Sequence, residues 1–561
     1  MFLPTTVEEL QKLGWKELDI ILVTGDAYVD HPSFGVALIG HFLVSKGYRV
    51  GIIAQPKWDS AEDITRLGRP RLFFGISGGN VDSMVANYTA SMKKRKTDDY
   101  SPNGIAGRRP DRAVIVYSNL VRRFFPKVPI VLGGLEASLR RFAHYDWWSD
   151  TVRKSILLDA KADLLVYGMG EKTVLEIAHN LEQTGDIRSC QGIRGTLFWT
   201  SRKPENGVEI PSFEEILREK HNYAKAAALL QFWTDPFRDL LVYQKQDNRY
   251  VVQNPPQLPL EQRELDELYL LDFERKVHPY YARMGAVPAL EMIQFSITAT
   301  RGCYGMCSFC ALTHHQTTHV ISRSADSILE EARMLAKHSD FRGTISDIGG
   351  PTANMYGSKC QQRESHGQCK KFCLYPEICK NVSVDHKGYF ELLEKVKTIN
   401  GVKNVFVSSG IRHDLILQDK DADIFIKKLI EFTPGQLKLA PEHAHPKVLR
   451  LMRKPPIEIF LEFKRRFEGI AKSLNKRRYV IGYFIVAHPG ESTQENNYLR
   501  KFIQQNLGYH PQQIQIFTPS PGTISTAMYY SGVDPITNEE VFVERSLKVR
   551  NKMKQNLLFQ Q

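Results

Sequence analysis

Three of the chain's eight cysteines fall within eight residues: Cys303, Cys307 and Cys310, in the stretch Thr298 to His315, "TATRGCYGMCSFCALTHH". A disulfide uses two thiols, and a structural zinc site uses four ligands. Thiolates are also the natural ligands of iron–sulfur clusters. A cubane cluster has four irons, so three protein thiolates leave one iron open to bind something else. A zinc site with His314 or His315 as fourth ligand is the competing chemistry. Gly302 and Gly305 allow the loop to fold tightly and gather the three sulfurs.

A second set follows: Cys360, Cys369, Cys373 and Cys379, spaced Cys-x8-Cys-x3-Cys-x5-Cys. Four thiolates over this span can hold a zinc ion tetrahedrally or an auxiliary iron–sulfur cluster, and the spacing leaves both open. Lys370 and Lys371 between the ligands would partly offset the thiolate charge. Cys190 stands alone and reads as a core residue. Seven cysteines between 303 and 379 indicate metal or redox chemistry in a reducing compartment, not a disulfide scaffold.

The elements that must position these residues form an α/β chain. At 561 residues, two or three domains are expected. Short apolar strands, "DIILVTGD", "YRVGIIAQP", "RLFFGISGG", "DRAVIVYS", "VPIVLGG" and "ADLLVYGMGE", alternate with helical patterns such as "GVALIGHFLVSKG". This predicts an N-terminal doubly wound parallel sheet over 1–189, with ligand loops at the carboxyl ends of its strands. Residues 190–287 are rich in turns and proline and read as a connector. From 288 to 561, six strand–helix units predict a (β/α)6 partial barrel, with a Cys-rich insertion at about 355–382. The triplet directly follows the strand "FSITAT", at a carboxyl end, where the chemistry of barrels lies.

No apolar run reaches membrane-spanning length and no secretion signal is read, so a cytoplasmic protein without membrane attachment is expected. The net charge of +13 permits a polyanionic partner such as RNA.

The triplet, with Phe309 just before its last cysteine, resembles the signature of the radical S-adenosylmethionine (SAM) superfamily. That resemblance implies a [4Fe-4S] cluster on Cys303, Cys307 and Cys310 whose open iron chelates SAM. An electron from the cluster would cleave SAM to a 5′-deoxyadenosyl radical, which takes a hydrogen atom from an unknown substrate. It further implies that Phe309 packs on the adenine and that the loop Gly349-Gly350-Pro351 contacts the SAM amino group. The usual third residue of that loop is acidic, where this chain has proline. Ser408 and Ser409 are candidates for ribose or carboxylate contacts, Arg412 for the SAM carboxylate, and Glu442 and His443 for ribose or substrate. A reductant such as flavodoxin or ferredoxin is implied.

Longer stretches, among them "GGPTANMYG", "APEHAH…VLRLMRKP" and "FTPSPGTISTAMYYSGVDP", resemble the YgiQ-type radical SAM proteins over nearly the whole chain. The chain departs from that pattern at His315-Gln316-Thr317-Thr318, where family members tend to read His-Gln-Gly-Arg. Two other readings stay open: an RNA-modifying, methylthiotransferase-like enzyme, and a non-catalytic metal-binding or redox-sensing protein. The N-terminal sheet resembles the cobalamin-binding domains found ahead of some radical SAM barrels. Their loop, Asp-x-His-x-x-Gly, presents a histidine to cobalt. Here it reads Asp30-His31-Pro32-Ser33-Phe34-Gly35, with the spacing broken at Asp and at Gly. A cobalamin-like fold without cobalamin is therefore expected.

Overall fold

The computed structural model describes residues 1–558 other than 234, 367, 368 and 370, so Lys370 lies outside the described residues. It divides into two compact units: Met1–Asn222 with Trp233–Leu260 and Glu267–Gln294, and Tyr223–Phe232 with Glu261–Asp266 and Phe295–Gln561.

The first unit is built on a nine-stranded sheet. In chain order its strands are β1 Ile20–Thr24, β2 Val50–Ala54, β3 Phe73–Ser77, β4 Ile130–Gly133, β5 Leu164–Val166, β6 Thr196–Thr200, β7 Val208–Ile210, β8 Val242–Gln246 and β9 Arg249–Gln253. The spatial order is β7-β8-β9-β6-β5-β4-β3-β1-β2. Strands β2-β1-β3-β4-β5 are mutually parallel. Every residue of β1 and β2 is buried, as a parallel strand covered on both faces requires, and this explains their uninterrupted apolar sequences. Helices α1 Gly35–Ser45, α2 Ala113–Phe124 and α3 Glu171–Thr184 belong to this unit. The stretch "DRAVIVYS", expected as a strand, is corrected to the start of α2: the apolar run continues as Val114, Tyr117, Leu120 and Val121, the three-to-four-residue spacing of one buried helix face.

The expected connector is corrected here. Residues 196–253 supply β6 to β9, which continue the sheet through antiparallel pairings of β5 with β6, β6 with β9 and β9 with β8. The helical stretch between them, one helix by its pattern, is two: α4 Phe213–Arg218 and α5 Lys220–Phe232, separated at Glu219, whose backbone is extended.

The second unit contains the strands β10 Ser296–Thr298, β11 Thr344–Ile345, β12 Asp347–Gly349, β13 Asn404–Val405, β14 Gln436–Glu442, β15 Tyr479–Val486 and β16 Ile514–Ile516. Here β11 and β12 are two halves of the second barrel strand. Parallel pairing joins β10 to β12, β11 to β13, and β14 to β15 to β16. Helices α6 Ala325–Lys337, α7 His386–Lys397, α8 Ala422–Glu431, α9 Pro446–Met452, α10 Ile457–Ser473, α11 Thr493–Asn506 and α12 Ile524–Ser531 alternate with them. The buried face of α10 carries Phe460, Phe463, Phe467 and Ala471. A capping box between Ser492 and Glu495 starts α11. Among the described residues, no helix is long and apolar enough to cross a membrane.

Candidate active site

The cysteine triplet leaves β10 on a loop whose path is fixed by backbone bonds to distant parts of the barrel. The Cys303 amide donates to Thr317 O (3.3 Å), the Ser308 amide to Met452 O at the end of α9 (3.0 Å), and the Ser525 amide of α12 to Ser308 O (2.8 Å). Gly302 has φ +80°, and a Cβ there would lie 2.0 Å from His319 O, so only glycine fits. Arg453 caps α9 in the left-handed conformation, φ +55°. Its guanidinium donates to Ser308 Oγ and to Asp534 Oδ1 (3.1 Å), all three residues being buried. Ser308 lies between Cys307 and Cys310, so this clamp holds the loop where two of its sulfurs originate.

Two of the sulfurs, those of Cys303 and Cys307, meet at Gly305. A Cβ built on Gly305 would stand 3.2 Å from Cys303 Sγ, 3.7 Å from Cys307 Sγ and 3.5 Å from Arg412 Nη1. The Gly305 amide donates to Cys303 Sγ (3.3 Å), and the same sulfur shares a hydrogen bond with Thr352 Oγ1 (3.4 Å). Burial pushes the Cys303 thiol up, against the Thr352 and Gly305 hydrogen bonds. Burial pushes Cys310 up to about 12, with Cys307, Cys303 and Glu442 adding to the effect. Such thiols ionise only when a cation compensates them.

Other predicted residues are placed as follows. Arg412 makes a two-pronged pair with Asp414, Nε to Oδ1 at 2.8 Å and Nη2 to Oδ2 at 2.5 Å. Its third nitrogen, Nη1, lies 4.0 Å from Cys307 Sγ. Burial opposes the Arg412 charge, but Asp414 outweighs it and holds the guanidinium protonated. Burial likewise raises Asp414, and Arg412 overcomes it to hold that carboxyl at about 2. Ser408 and Ser409 are engaged within the chain. Their amides donate to Asp347 Oδ1 (2.7 and 3.0 Å), Ser408 Oγ donates to Ser346 O (2.7 Å), and Ser409 Oγ to Asp347 Oδ2. The smallness of Gly349 and Gly350 serves packing within the chain: a Cβ would meet Ser409 Oγ at 2.5 Å and Thr300 O at 2.3 Å respectively. Pro351 follows them and leads to Thr352.

Glu442 ends β14 with φ +72°, a conformation costly for a non-glycine residue. It is buried, and burial raises its carboxyl to about 7 against the opposing charge of Lys454. His443 turns away. Its Nδ1 accepts from the His445 amide (2.9 Å) and its Nε2 faces Glu491 Oε1 (3.4 Å), both side chains being fully buried. Phe309 is half-buried and meets the His488 ring edge-on at 6.4 Å. His488 is held by Pro489 O (2.8 Å) and Ser525 Oγ (2.7 Å), and burial lowers it to about 3, so it is neutral.

The second cysteine set is bracketed by its own short ladder, while Phe372 within it meets Phe232 (5.9 Å) and the Arg453 guanidinium (4.8 Å). Cys360 pairs with Val382 across a two-residue antiparallel ladder, and the Cys379 amide donates to Cys373 O (2.8 Å). Burial pushes Cys373 up to about 12; Arg363 opposes this, and Cys360, Cys369 and Cys379 add to it, which places all four thiols in one neighbourhood. All eight cysteines are free thiols. Among the described residues, no three His, Cys, Asp or Glu side chains close on a single metal-ion position. A cubane spreads its thiolates over separate irons and asks for no such convergence.

Sequence reasoning missed Asp347, Thr352, Arg453, Lys454 and Asp534. Only "LMRKPP", a helix ending in two cations before a double proline, carried a signal for any of them.

Comparison with known proteins decides the family. The Radical SAM N-terminal family matches residues 2–296, the Radical SAM superfamily matches 297–503, and a domain of unknown function matches 512–560. A UPF0313 protein of Thermotoga petrophila is 71% identical over 559 residues, covering 100% of this chain and 99% of its own length. The chain belongs to the radical SAM superfamily, in the UPF0313, YgiQ-type family. It is an enzyme of that superfamily. A UPF0313 protein of Clostridium botulinum is 48% identical over 561 residues, covering 99% of this chain and 87% of that protein. The radical SAM methyltransferase TsrM from Kitasatospora setae shares the fold. Solved with tryptophan substrate and a SAM analogue, it has a TM-score of 0.50 at 15% identity, over 90% of this chain and 74% of that one. Solved with cobalamin and a [4Fe-4S] cluster, it has a TM-score of 0.50 at 14% identity, over 89% and 72%.

This corrects the expectation that cobalamin is absent. The chain shares its fold with a protein solved with cobalamin bound, so a broken Asp-x-His-x-x-Gly loop does not exclude the cofactor. The loop spacing failed as a test because it asks only about one histidine ligand. His31 itself is buried, with Nδ1 facing the Ser33 amide and Nε2 facing Arg275 Nη1, each at 3.0 Å.

Proposed function

We propose that Cys303, Cys307 and Cys310 hold a [4Fe-4S] cluster whose open iron takes SAM, and that the enzyme acts on its substrate through the radical so formed. One observation carries this reading: Cys303 Sγ and Cys307 Sγ converge on the bare Cα of Gly305, where a built Cβ would stand 3.2 Å and 3.7 Å from them and 3.5 Å from Arg412 Nη1, with Cys310 three residues on in the same loop. The cluster would supply the electron that cleaves SAM to methionine and a 5′-deoxyadenosyl radical.

The chain's own residues bind and orient. Arg412 is locked by Asp414 and offers Nη1 beside Cys307, where it lowers the cost of thiolate charge and can meet an anionic oxygen. The clamp of Arg453 on Ser308 and Asp534 fixes the loop between Cys307 and Cys310. Phe309, half-buried against His488, offers an aromatic edge beside the last sulfur.

The test is anaerobic reconstitution with iron and sulfide. The wild-type chain is expected to bind about four irons at the triplet and, with a reductant, to release 5′-deoxyadenosine from SAM. Equal SAM cleavage by a Cys303→Ala, Cys307→Ala, Cys310→Ala variant would end the proposal.

Cobalamin is the candidate second cofactor, for the N-terminal unit, supported by the fold shared with the cobalamin-bound methyltransferase. His31 is engaged on both ring nitrogens and does not serve as the cobalt ligand in this arrangement. Titration of hydroxocobalamin, followed by its visible spectrum, is expected to saturate at one per chain; an unchanged spectrum rejects it.

A further inference from the structure

Thr352 stands where other helical turns of the second unit take a side-chain cap. Ser324, Ser492 and Thr523 precede α6, α11 and α12, and the side-chain oxygen of each accepts from a backbone amide of the first turn. Thr352 precedes the short turn Ala353–Met355, also in extended backbone, and its hydroxyl accepts no such bond. The side chain is buried, and among the described residues the hydrogen-bond partner of its hydroxyl is Cys303 Sγ, 3.4 Å away.

The backbone around Thr352 is held by the loop after β13. The Ala353 amide donates to Gly410 O (2.9 Å). The buried Asn354 side chain bridges the backbone of Arg412 in both directions. Its Oδ1 accepts from the Arg412 amide (2.8 Å) and its Nδ2 donates to Arg412 O (3.0 Å). One crosslink between 352–354 and 410–412 therefore sets two donors at two sulfurs: the Thr352 hydroxyl at Cys303, and Arg412 Nη1 4.0 Å from Cys307 Sγ.

Between a thiol and a hydroxyl, either group can donate. A metal-bound thiolate has no proton, so at Cys303 the donors are then the Thr352 hydroxyl and the Gly305 amide (3.3 Å). Reduction of an iron–sulfur cluster takes one electron from a low-potential donor and adds negative charge over irons and sulfurs, with no bond made or broken. A hydrogen bond to a ligand sulfur strengthens with that charge and favours the reduced state.

We propose that Thr352 is a positioning residue that acts through Cys303, its hydroxyl raising the reduction potential of the cluster on the triplet. This deepens the radical SAM reading and rests on its [4Fe-4S] cluster.

The test is a redox titration of the anaerobically reconstituted full chain, read by electron paramagnetic resonance in the signal that SAM perturbs, which marks the triplet. Thr352→Val keeps the shape and removes the hydroxyl. It is expected to shift the equilibrium toward the oxidised form by at least about threefold, a potential lower by about 30 mV for one electron. Thr352→Ser, which restores the hydroxyl, is expected to lie nearer to wild type than to the valine variant. A smaller or opposite shift in Thr352→Val, or a serine variant that matches it, overturns the proposal. If Thr352→Val holds no iron, Thr352→Ser decides. A serine variant that keeps its iron and stays within about threefold of wild type supports the hydroxyl's role. One that loses its iron or departs further assigns Thr352 to packing and overturns it. A wild type without any SAM-responsive signal sinks the cluster reading and this proposal with it, whereas a SAM-responsive cluster whose potential ignores Thr352 sinks this proposal alone.

Discussion

The two cysteine sets meet at one apolar cluster and are built in different ways. Tyr304, Met355, Leu374, Leu415, Cys360 and Cys373 form the cluster, with Cys303 packed against it. The triplet's loop is tied to Thr317, Met452, Ser525 and Thr352, residues spread over more than 200 positions of sequence. The backbone of the foursome is bracketed by the pairing of Cys360 with Val382. The triplet's backbone is thus set by distant parts of the barrel, whereas the foursome's backbone pairing is local. Ligands held from outside suit a site that must leave one coordination position open.

The sharpest way to break the contrast is to remove each set in turn. Alanine at Cys303, Cys307 and Cys310 together is expected to lower SAM cleavage by about a thousandfold or more, to background. Alanine at Cys360, Cys369, Cys373 and Cys379 together is expected to leave the triplet's quota of about four irons in place, as measured by iron analysis beside sulfide content. Loss of all iron from that second variant would erase the distinction.

Next in size is the external support of the triplet. Asp534→Ala leaves Arg453 buried without its carboxylate and is expected to cost about 3–5 kcal/mol in urea unfolding, with faster loss of iron on chelator challenge. The exposed pair between Arg450, on the same helix, and Glu539 is the control. Glu539→Ala should cost less than about 1 kcal/mol.

The acid at the strand end is smaller in effect and pH-dependent. Glu442 has its carboxyl raised from 4.5 to about 7 in the folded chain. Between those values the folded state holds a proton that the unfolded state has released, so stability falls as pH rises through that window and is flat above it. Glu442→Gln removes the dependence. Its advantage over wild type in urea unfolding should grow from pH 4.5 to about 7, reaching about 3 kcal/mol at most. A constant difference between pH 5 and pH 8 would contradict this.

The smallest effect is expected inside the foursome. Cys373→Ser puts a hydroxyl into the apolar cluster and should cost about 1–3 kcal/mol, while Cys190→Ala, in the N-terminal core, should cost about 1 kcal/mol. Thermal unfolding of the two variants side by side measures the pair.

The sequence made the parallel strands legible because they are buried on both faces and read as unbroken apolar runs, as in "DIILVT" and "VGIIA". The strands of 196–253 were hidden because "TLFWT" and "VYQKQ" mix polar and apolar residues at an antiparallel extension, between proline-rich turns that read as linker. The spacing marked Cys303, Cys307 and Cys310 as one group, and the structure brings Cys303 and Cys307 to one glycine, Gly305. The intrachain partners of Ser408, Ser409 and His443 were not legible, because Asp347 comes from another strand and Glu491 from a later loop, and only the fold brings them together. Lys454 was invisible for a related reason. A lysine after an arginine at a helix end usually faces water, and nothing in "LMRKPP" says that this one is inside.

Arg453 carries a lesson for anyone engineering this chain. A backbone at φ +55° favours glycine, so a design scheme that scores local conformation would replace Arg453 and gain on the order of 1 kcal/mol in the helix cap. The same exchange would delete the guanidinium that grips Ser308 and Asp534. Thermostability and cofactor retention would then move in opposite directions at a single codon, and heat resistance would be a misleading guide to a working protein.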